Sequence, residues 1–181
     1  MADPFSTLGL EPCFELDLRA LEVRHRELSS ALHPDRYVGR PSAERQIALG
    51  KAIEVNEARR ALVDPVRRAE ALLSLRGVEL SEATEPKPSQ RFLLEMMELR
   101  EELAAHAKHK NLLMTETLRE DVQARERGVT LQLTRAFKSL PADSAAAPSA
   151  EALAEIRAKL GELRYYRRLV EEARALEDQL G

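Results

Sequence analysis

The chain has 181 residues, of which 44% are hydrophobic and 33% charged, and its formal net charge is −3. This length suffices for one domain of usual size or two small ones, and the slight negative charge argues against a general nucleic-acid binder. Cys13 is the single cysteine, which excludes an internal disulfide and a cysteine-based structural zinc site. The acidic N-terminus and the lack of a long apolar run predict neither a signal peptide nor a membrane span, so we expect a soluble, cytoplasmic protein.

The first part of the chain predicts four helices. Residues 4–10 form a short segment, and its apolar side chains, which can cover the next two helices, are Phe5, Leu8 and Leu10. Those two helices run from an Asp17 N-cap to about residue 32 and from a Ser42 cap to about residue 62. A fourth helix starts at the cap-and-proline pair Asp64–Pro65 and stops at Gly77.

The second and third helices each carry one apolar face, so we expect them to pack antiparallel as a hairpin. The face of the second helix consists of Leu18, Leu21, Leu28 and Leu32, with Ala31 beside them. The face of the third helix consists of Ala48, Ala52, Val55, Ala58 and Leu62.

The loop between these helices contains His33-Pro34-Asp35, which the hairpin would expose at its tip. Pro34 biases His33 away from the helical conformation and supplies no amide donor. His33 and Asp35 would then present one donor/acceptor and one anion side by side to solvent or to a partner. An ordinary helix-to-turn connection is the alternative, because Pro and Asp are common turn formers.

The second half of the chain predicts a separate domain. Residues 78–89 have no apolar period and contain Ser, Thr and Pro, which indicates a linker. Three longer helices follow, at about residues 90–107, at about 110–139 and, after a break at 141–149, onward to 180. A three-helix bundle is the simplest way for their apolar stripes to bury one another. The predicted fold is therefore all-α, with a four-helix domain in residues 1–77 and a three-helix bundle in residues 90–181.

The first bundle helix has more apolar surface than a bundle needs. Its core stripe, at helical spacing, is Phe92, Met96, Leu99 and Leu103. A second apolar face then remains, formed by Leu93, Leu94 and Met97 beside Glu98 and Glu101. Either this face is exposed and binds a partner, or it is buried against the linker or the first domain. Tyr165 is a weaker case of a surplus apolar side chain that is either exposed or buried, because its neighbour Tyr166 already occupies a core position.

Chemistry that would indicate an enzyme is missing from the sequence. There is no glycine-rich phosphate loop, nucleophile elbow or zinc-protease helix motif. His106 and His109 are one helical turn apart, but no cysteine or carboxylate triad accompanies them, so solvated helix residues are the expectation. We therefore expect no catalytic activity, no metal and no cofactor.

Several segments together resemble a known family. Residues 4–76 resemble a J-domain, with His33-Pro34-Asp35 between its second and third helices. More narrowly, the chain resembles the HscB family of iron–sulfur co-chaperones, bacterial type. The segments that carry this resemblance are Phe5-Ser6-Thr7-Leu8-Gly9-Leu10, Leu32-His33-Pro34-Asp35-Arg36-Tyr37, Arg68-Ala69-Glu70-Ala71-Leu72-Leu73-Ser74-Leu75 and Glu98-Leu99-Arg100-Glu101-Glu102-Leu103.

The resemblance implies two binding functions. The J-domain would stimulate the ATPase of an HscA-type heat-shock chaperone, while the bundle would bind and deliver an IscU-type scaffold protein. The implied chaperone-binding residues are His33, Pro34 and Asp35, with Arg24, Arg26 and Arg36 supplying positive charge. The implied scaffold-binding residues are Leu93, Leu94, Met97, Glu98, Glu101 and Tyr165. No nucleic acid and no membrane is an expected partner, and a J-domain protein that delivers general clients is the alternative.

The sequence also departs from the family pattern. Ala104 and Ala105 stand where the family often has a further acidic residue, which would thin the acidic rim of the scaffold site. Residues 28–31 lack the basic side chains that are common just before the loop. The zinc-binding cysteine pairs that some eukaryotic members carry upstream are missing, which favours a bacterial-type protein.

Overall fold

The structure, a computed structural model, describes residues 3–78, 88–141 and 147–180. Over these ranges it is entirely helical, with no β-strand, so the predicted all-α fold is confirmed. The helices are α1 (Pro4–Leu8), α2 (Leu18–Ala31), α3 (Ser42–Val63), α4 (Pro65–Leu75), α5 (Gln90–Lys108), α6 (Leu112–Lys138) and α7 (Ala150–Leu180), and a 3₁₀ turn spans Pro34–Tyr37.

The chain divides into two compact units, one holding α1 to α4 and the other α5 to α7. The segment predicted as a linker, residues 78–89, lies mostly outside the described residues, as does much of the predicted break at 141–149. The two units are therefore described separately.

Local capping explains where most helices of the first unit start. The carboxylates of Asp3, Asp17 and Asp64 each accept hydrogen bonds from backbone N–H groups in the first turn of α1, α2 and α4. The predicted Ser42 cap is wrong: Pro41 occupies the N-cap position without a side-chain hydrogen bond, and Ser42 is already helical. Pro41 has no side-chain oxygen that could cap the helix. Its extended backbone nevertheless lets the helix begin at Ser42, one residue before the predicted start.

The core of the first unit lies where α1 packs on the α2–α3 hairpin. Its fully buried side chains are Phe5, Leu8, Leu21, Leu62, Ala69 and Leu73. The predicted apolar face of α2 is only partly buried: Leu21 is inside, whereas Leu18 and Ala31 are exposed. A five-residue α1 covers only part of the 14-residue α2, so the ends of the predicted stripe remain uncovered.

Polar contacts hold α2 and α3 antiparallel. Arg59 of α3 donates to Glu22 of α2, with the guanidinium Nη2 2.7 Å from Oε1, and His25 Nε2 lies 2.9 Å from Asn56 Oδ1. The hydrogen bond from Arg59 lowers the pKa of the Glu22 carboxyl. These pairings fix the register of the hairpin and so place its loop beyond the ends of both helices.

The second unit is an antiparallel bundle in which α6 and α7 approach each other along much of their length. Its most deeply buried side chains are Val122, Leu133, Ile156, Leu160, Leu163 and Leu169. Buried Thr115 satisfies its hydroxyl by donating to the Asn111 carbonyl oxygen at 3.0 Å. Helix α5 completes the bundle with the predicted core stripe of Phe92, Met96, Leu99 and Leu103, all buried.

Candidate functional site

The hairpin loop holds His33 and Asp35 next to each other on the surface. His33 is the N-cap of the 3₁₀ turn, with φ −60° and ψ 133°, and Pro34 is its first residue. The extended backbone of His33 is the conformation that a following proline favours. The side chains are 59% exposed at His33 and 86% exposed at Asp35, so the predicted exposure of this loop is confirmed.

A hydrogen bond orients the His33 ring. Its Nδ1 accepts from the backbone N–H of Asp35 at 3.3 Å, and the Asp35 carboxylate Oδ2 lies 3.5 Å from the same nitrogen. With Nδ1 accepting, the neutral imidazole carries its proton on Nε2. The loop therefore offers an N–H donor from His33 and a carboxylate acceptor from Asp35 to any partner that docks there.

The three arginines predicted to bind the chaperone, Arg24, Arg26 and Arg36, differ in whether their guanidinium groups form salt bridges within the protein. Arg24 pairs with Glu27 at 2.8 Å and donates weakly to the Leu8 carbonyl oxygen at 3.4 Å, so it is folded back towards α1. Arg26 reaches only the backbone carbonyl of Glu22 in its own helix. Within the described part of the chain, Arg26 and Arg36 form no salt bridge, and both are exposed. The structure thus leaves Arg26 and Arg36 as the available positive charges.

Helix α5 exposes its second apolar face. Leu93 is 39% exposed, Leu94 54% and Met97 58%, while the core stripe one turn away is buried. Glu98 and Glu101 are also exposed and form no salt bridge with another described residue. Within the second unit, neither α6 nor α7 covers this face, which is what the exposed alternative requires. We call Leu93, Leu94, Met97, Glu98 and Glu101 the α5 surface.

Tyr165 extends this region from a neighbouring helix. Its ring packs edge-to-face on the ring of Phe92 of α5, with centroids 5.7 Å apart, and Tyr165 is half-buried. Phe92 directly precedes Leu93, so Tyr165 of α7 lies alongside the N-terminal end of the α5 surface. The structure thus brings all six predicted bundle residues to one part of the second unit.

Comparison with solved structures identifies the family. The chain superposes on chaperone HscB from Vibrio cholerae with a TM-score of 0.81 and 31% sequence identity, covering 99% of this chain and 100% of that one. The chain belongs to the HscB family. Human co-chaperone protein HscB also superposes with a TM-score of 0.81, at 25% identity over 97% of this chain and 82% of the human one.

Sequence comparisons agree with this HscB assignment. A family model for the HSCB C-terminal oligomerisation domain matches residues 88–174, which include the α5 surface and Tyr165. Co-chaperone protein HscB homologs from Shewanella sp. (strain ANA-3) and Shewanella baltica (strain OS155) are 38% identical over 99 residues. These matches cover 55% of this chain and 57% of each relative, so the chain spans little more than half the length of the curated relatives it matches.

One polar cluster in this HscB-type bundle was missed by sequence reasoning. Glu95 of α5 accepts a hydrogen bond from the Tyr166 hydroxyl of α7 at 2.8 Å and forms an ion pair with Arg125 of α6. These residues are far apart in sequence and each stands in an ordinary helical pattern, so no local signal could have joined them. We call Glu95, Arg125 and Tyr166 the α5 cluster.

The histidines of the α5–α6 turn do not assemble a metal site. His106 Nε2 lies 3.5 Å from Glu102 Oε1 one turn away, and His109 is exposed at the C-cap of α5. Over residues 3–78, 88–141 and 147–180, no group of three or more His, Cys, Asp or Glu side chains could hold a metal ion. In the same ranges, no helix combines the length and hydrophobicity that crossing a bilayer requires.

Proposed function

We propose that this protein is a co-chaperone in iron–sulfur cluster biogenesis that works by binding two partners at once. Its first unit would stimulate ATP hydrolysis by an HscA-type heat-shock chaperone, and its bundle would bind an IscU-type scaffold and deliver it. The protein would perform no catalysis itself, and its proposed compartment is the cytoplasm. The observation that carries this proposal is the pair of exposed surfaces, one on each unit of an HscB-family chain.

The chaperone-binding half of the proposal rests on the loop after α2. His33 and Asp35 are exposed and held in one geometry by the hydrogen bond between them. The free cations Arg26 and Arg36 flank this loop in sequence and would steer encounter with an acidic surface of the chaperone. Direct contact by His33, Pro34 and Asp35 would then favour the hydrolysis-competent state of the chaperone.

The scaffold-binding half rests on the α5 surface. Three large apolar side chains that remain exposed on a helix, rimmed by two unpaired carboxylates, have the anatomy of a protein interface with an apolar centre and a charged edge. Met97 adds a deformable contact, and Tyr165 adds an aromatic one beside it. Hydrolysis would lock the chaperone on the scaffold while the bundle still holds it, so the two halves would act together.

The test is single-turnover ATP hydrolysis by an HscA-type chaperone, measured with this protein, with and without an IscU-type scaffold. The proposal is supported if this protein stimulates ATP hydrolysis more strongly when the scaffold is also present, and if His33→Gln abolishes the stimulation. The matched control is His109→Gln, which changes an exposed histidine of the bundle and should leave stimulation unchanged. Stimulation of a general heat-shock chaperone instead, with equal affinity for unfolded peptides and scaffold, would support the general-client alternative and refute the iron–sulfur function.

A further inference from the structure

The α5 cluster joins all three helices of the bundle at one carboxylate oxygen. Glu95 Oε1 accepts from the Tyr166 hydroxyl at 2.8 Å and also pairs with Arg125 Nη1. The Tyr166 ring also packs edge-to-face on Phe92 of α5, with centroids 5.4 Å apart. One side chain of α5 is thus tied simultaneously to α6 and to α7.

Burial strengthens the Tyr166 half of this contact, whereas the ion pair between Glu95 and Arg125 is partly exposed. Tyr166 is only 6% exposed, and its hydroxyl donates to a carboxylate, which makes the hydrogen bond charge-assisted. Burial is the main cause, and the hydrogen bond to Glu95 the second, of a rise in the pKa of Tyr166 to about 12. The phenol therefore keeps its proton at neutral pH and remains a hydrogen-bond donor to Glu95.

The position of Glu95 on α5 allows the cluster to control the rotation of that helix. An α-helix turns about 100° per residue, so Glu95 and Arg100 lie about 140° apart, one on each flank of the core residue Met96. Arg100 pairs with Glu172 of α7 at 3.1 Å on its own flank. The α5 surface occupies the side away from the core, so polar contacts on both flanks fix the direction in which it points.

Apolar packing alone constrains α5 less than its neighbours. The backbones of α6 and α7 come close along much of their length, whereas α5 approaches either of them at fewer positions. Apolar side chains tolerate small rotations, but hydrogen bonds are directional and weaken steeply with misalignment. The buried core stripe therefore sets the rotation of α5 coarsely, and the polar contacts set it more finely.

We propose that the α5 cluster is a positioning device that holds Leu93, Leu94 and Met97 in the orientation that binds the scaffold. Glu95, Arg125 and Tyr166 act through α5 rather than by touching the partner. This inference rests on the proposed scaffold binding, and it names the residues that set the affinity of that same surface.

The decisive variant is Tyr166→Phe, which removes the hydroxyl and keeps the ring. Because Tyr166 is buried, it cannot contact a scaffold directly, so any effect on affinity must pass through α5 or through the neighbouring Tyr165, and exchange of the α5 amides distinguishes these two routes. We expect scaffold affinity, measured by calorimetry, to fall by up to roughly tenfold, the limit reached if the whole energy of this charge-assisted hydrogen bond holds α5 in its binding orientation. Stimulation of the chaperone ATPase without scaffold should stay unchanged.

Two arginines of α6 provide a matched control. Arg125 pairs with Glu95 of α5, whereas Arg119 pairs with Glu177 of α7 at 2.7 Å and does not involve α5. Arg125→Gln and Arg119→Gln each remove one interhelical ion pair. Because Arg119 and Glu177 are the more buried pair, 19% and 18% exposed against 45% and 31% for Arg125 and Glu95, Arg119→Gln should lower the melting temperature at least as much. Only Arg125→Gln should weaken scaffold binding.

A second measurement reports the position of α5 without a scaffold. Hydrogen–deuterium exchange of the α5 amides should accelerate in Tyr166→Phe and Arg125→Gln, but not in Arg119→Gln. The positioning role is wrong if wild type and Tyr166→Phe bind scaffold equally well. It is also wrong if the α5 amides of Tyr166→Phe exchange as slowly as those of wild type, whether or not scaffold binds. If wild type binds no scaffold, it is the proposed function that fails.

Discussion

The Nδ1 atom of His33 accepts a hydrogen bond from the backbone N–H of Asp35, 3.3 Å away, and so caps the 3₁₀ turn that carries Asp35. The same bond leaves the Nε2 proton of His33 pointing out of the turn, available to a partner. His33 therefore has two separable properties: it stabilises the loop through one nitrogen and can bind a partner through the other.

Replacing His33 by Asn should separate these two properties. Asn is a strong N-cap residue, so His33→Asn keeps the loop and should change the free energy of unfolding by less than about 1 kcal/mol. Its shorter side chain cannot place a donor where Nε2 lies, so stimulation of the chaperone ATPase should be lost. Denaturant unfolding and single-turnover hydrolysis check the two halves. Full stimulation by His33→Asn would mean that His33 serves only to shape the turn.

Neutralising Arg26 should slow encounter with the chaperone more than neutralising Arg24. Arg26 is free of salt bridges, whereas Arg24 is paired with Glu27. We expect Arg26→Gln to reduce stimulation at low salt by roughly two- to fivefold, the effect of about 0.5–1 kcal/mol from an exposed charge pair. The difference from wild type should shrink as salt is added, because the Debye length is about 8 Å at physiological ionic strength. An equal or larger loss in Arg24→Gln would contradict this ranking.

The helices could be predicted closely because their ends are set locally. Asp17 and Asp64 cap helices whose starts follow directly from the sequence, and Gly77 adopts the left-handed conformation, φ +71°, that ends the first unit's last helix. Gly9 shows the same logic at φ +63°, where an added Cβ would lie 2.9 Å from Arg24 Nη2. Ser42 was misassigned because a capping residue type beside a proline does not reveal which of the two takes the cap.

The candidate sites depended more on tertiary structure. Periodicity separated Leu93 and Met97 from the core stripe but left open whether another element covers them. Whether Arg24 or Arg26 is available depends on the neighbouring Glu27 and on α1, which sequence spacing does not report. Tyr166 was assigned correctly to the core, yet its hydroxyl bond to Glu95, 71 positions away, follows only from how three helices pack.

Replacing Leu93 and Met97 together by Ala should abolish scaffold binding without unfolding the protein. Both side chains are exposed, so their truncation should change the free energy of unfolding by no more than about 0.5 kcal/mol each. Calorimetric titration with scaffold measures the loss, and ATPase stimulation without scaffold should persist. Leu131→Ala is the matched control, because Leu131 is 58% exposed on α6, outside the α5 surface. A similar loss of binding in that control would show that general surface hydrophobicity, not this surface, drives association.

Tyr166 should make the folded protein sensitive to alkaline pH. Its pKa is about 12 in the folded chain, against 10.0 for an ordinary tyrosine, so between these values the unfolded chain releases the proton first. Its contribution to stability is therefore full below pH 10 and declines as the pH rises towards 12, by on the order of 2–3 kcal/mol in total. Denaturant unfolding at about pH 9 and about pH 11 should show this decline in wild type and a smaller one in Tyr166→Phe.

Tyrosinate absorbance gives a direct second measurement, because the chain has three tyrosines and no tryptophan. The Tyr166→Phe variant should lack the last tyrosine to ionise in the wild type. Identical alkaline profiles for the two proteins would mean that the Tyr166 hydroxyl is not buried against Glu95 in solution.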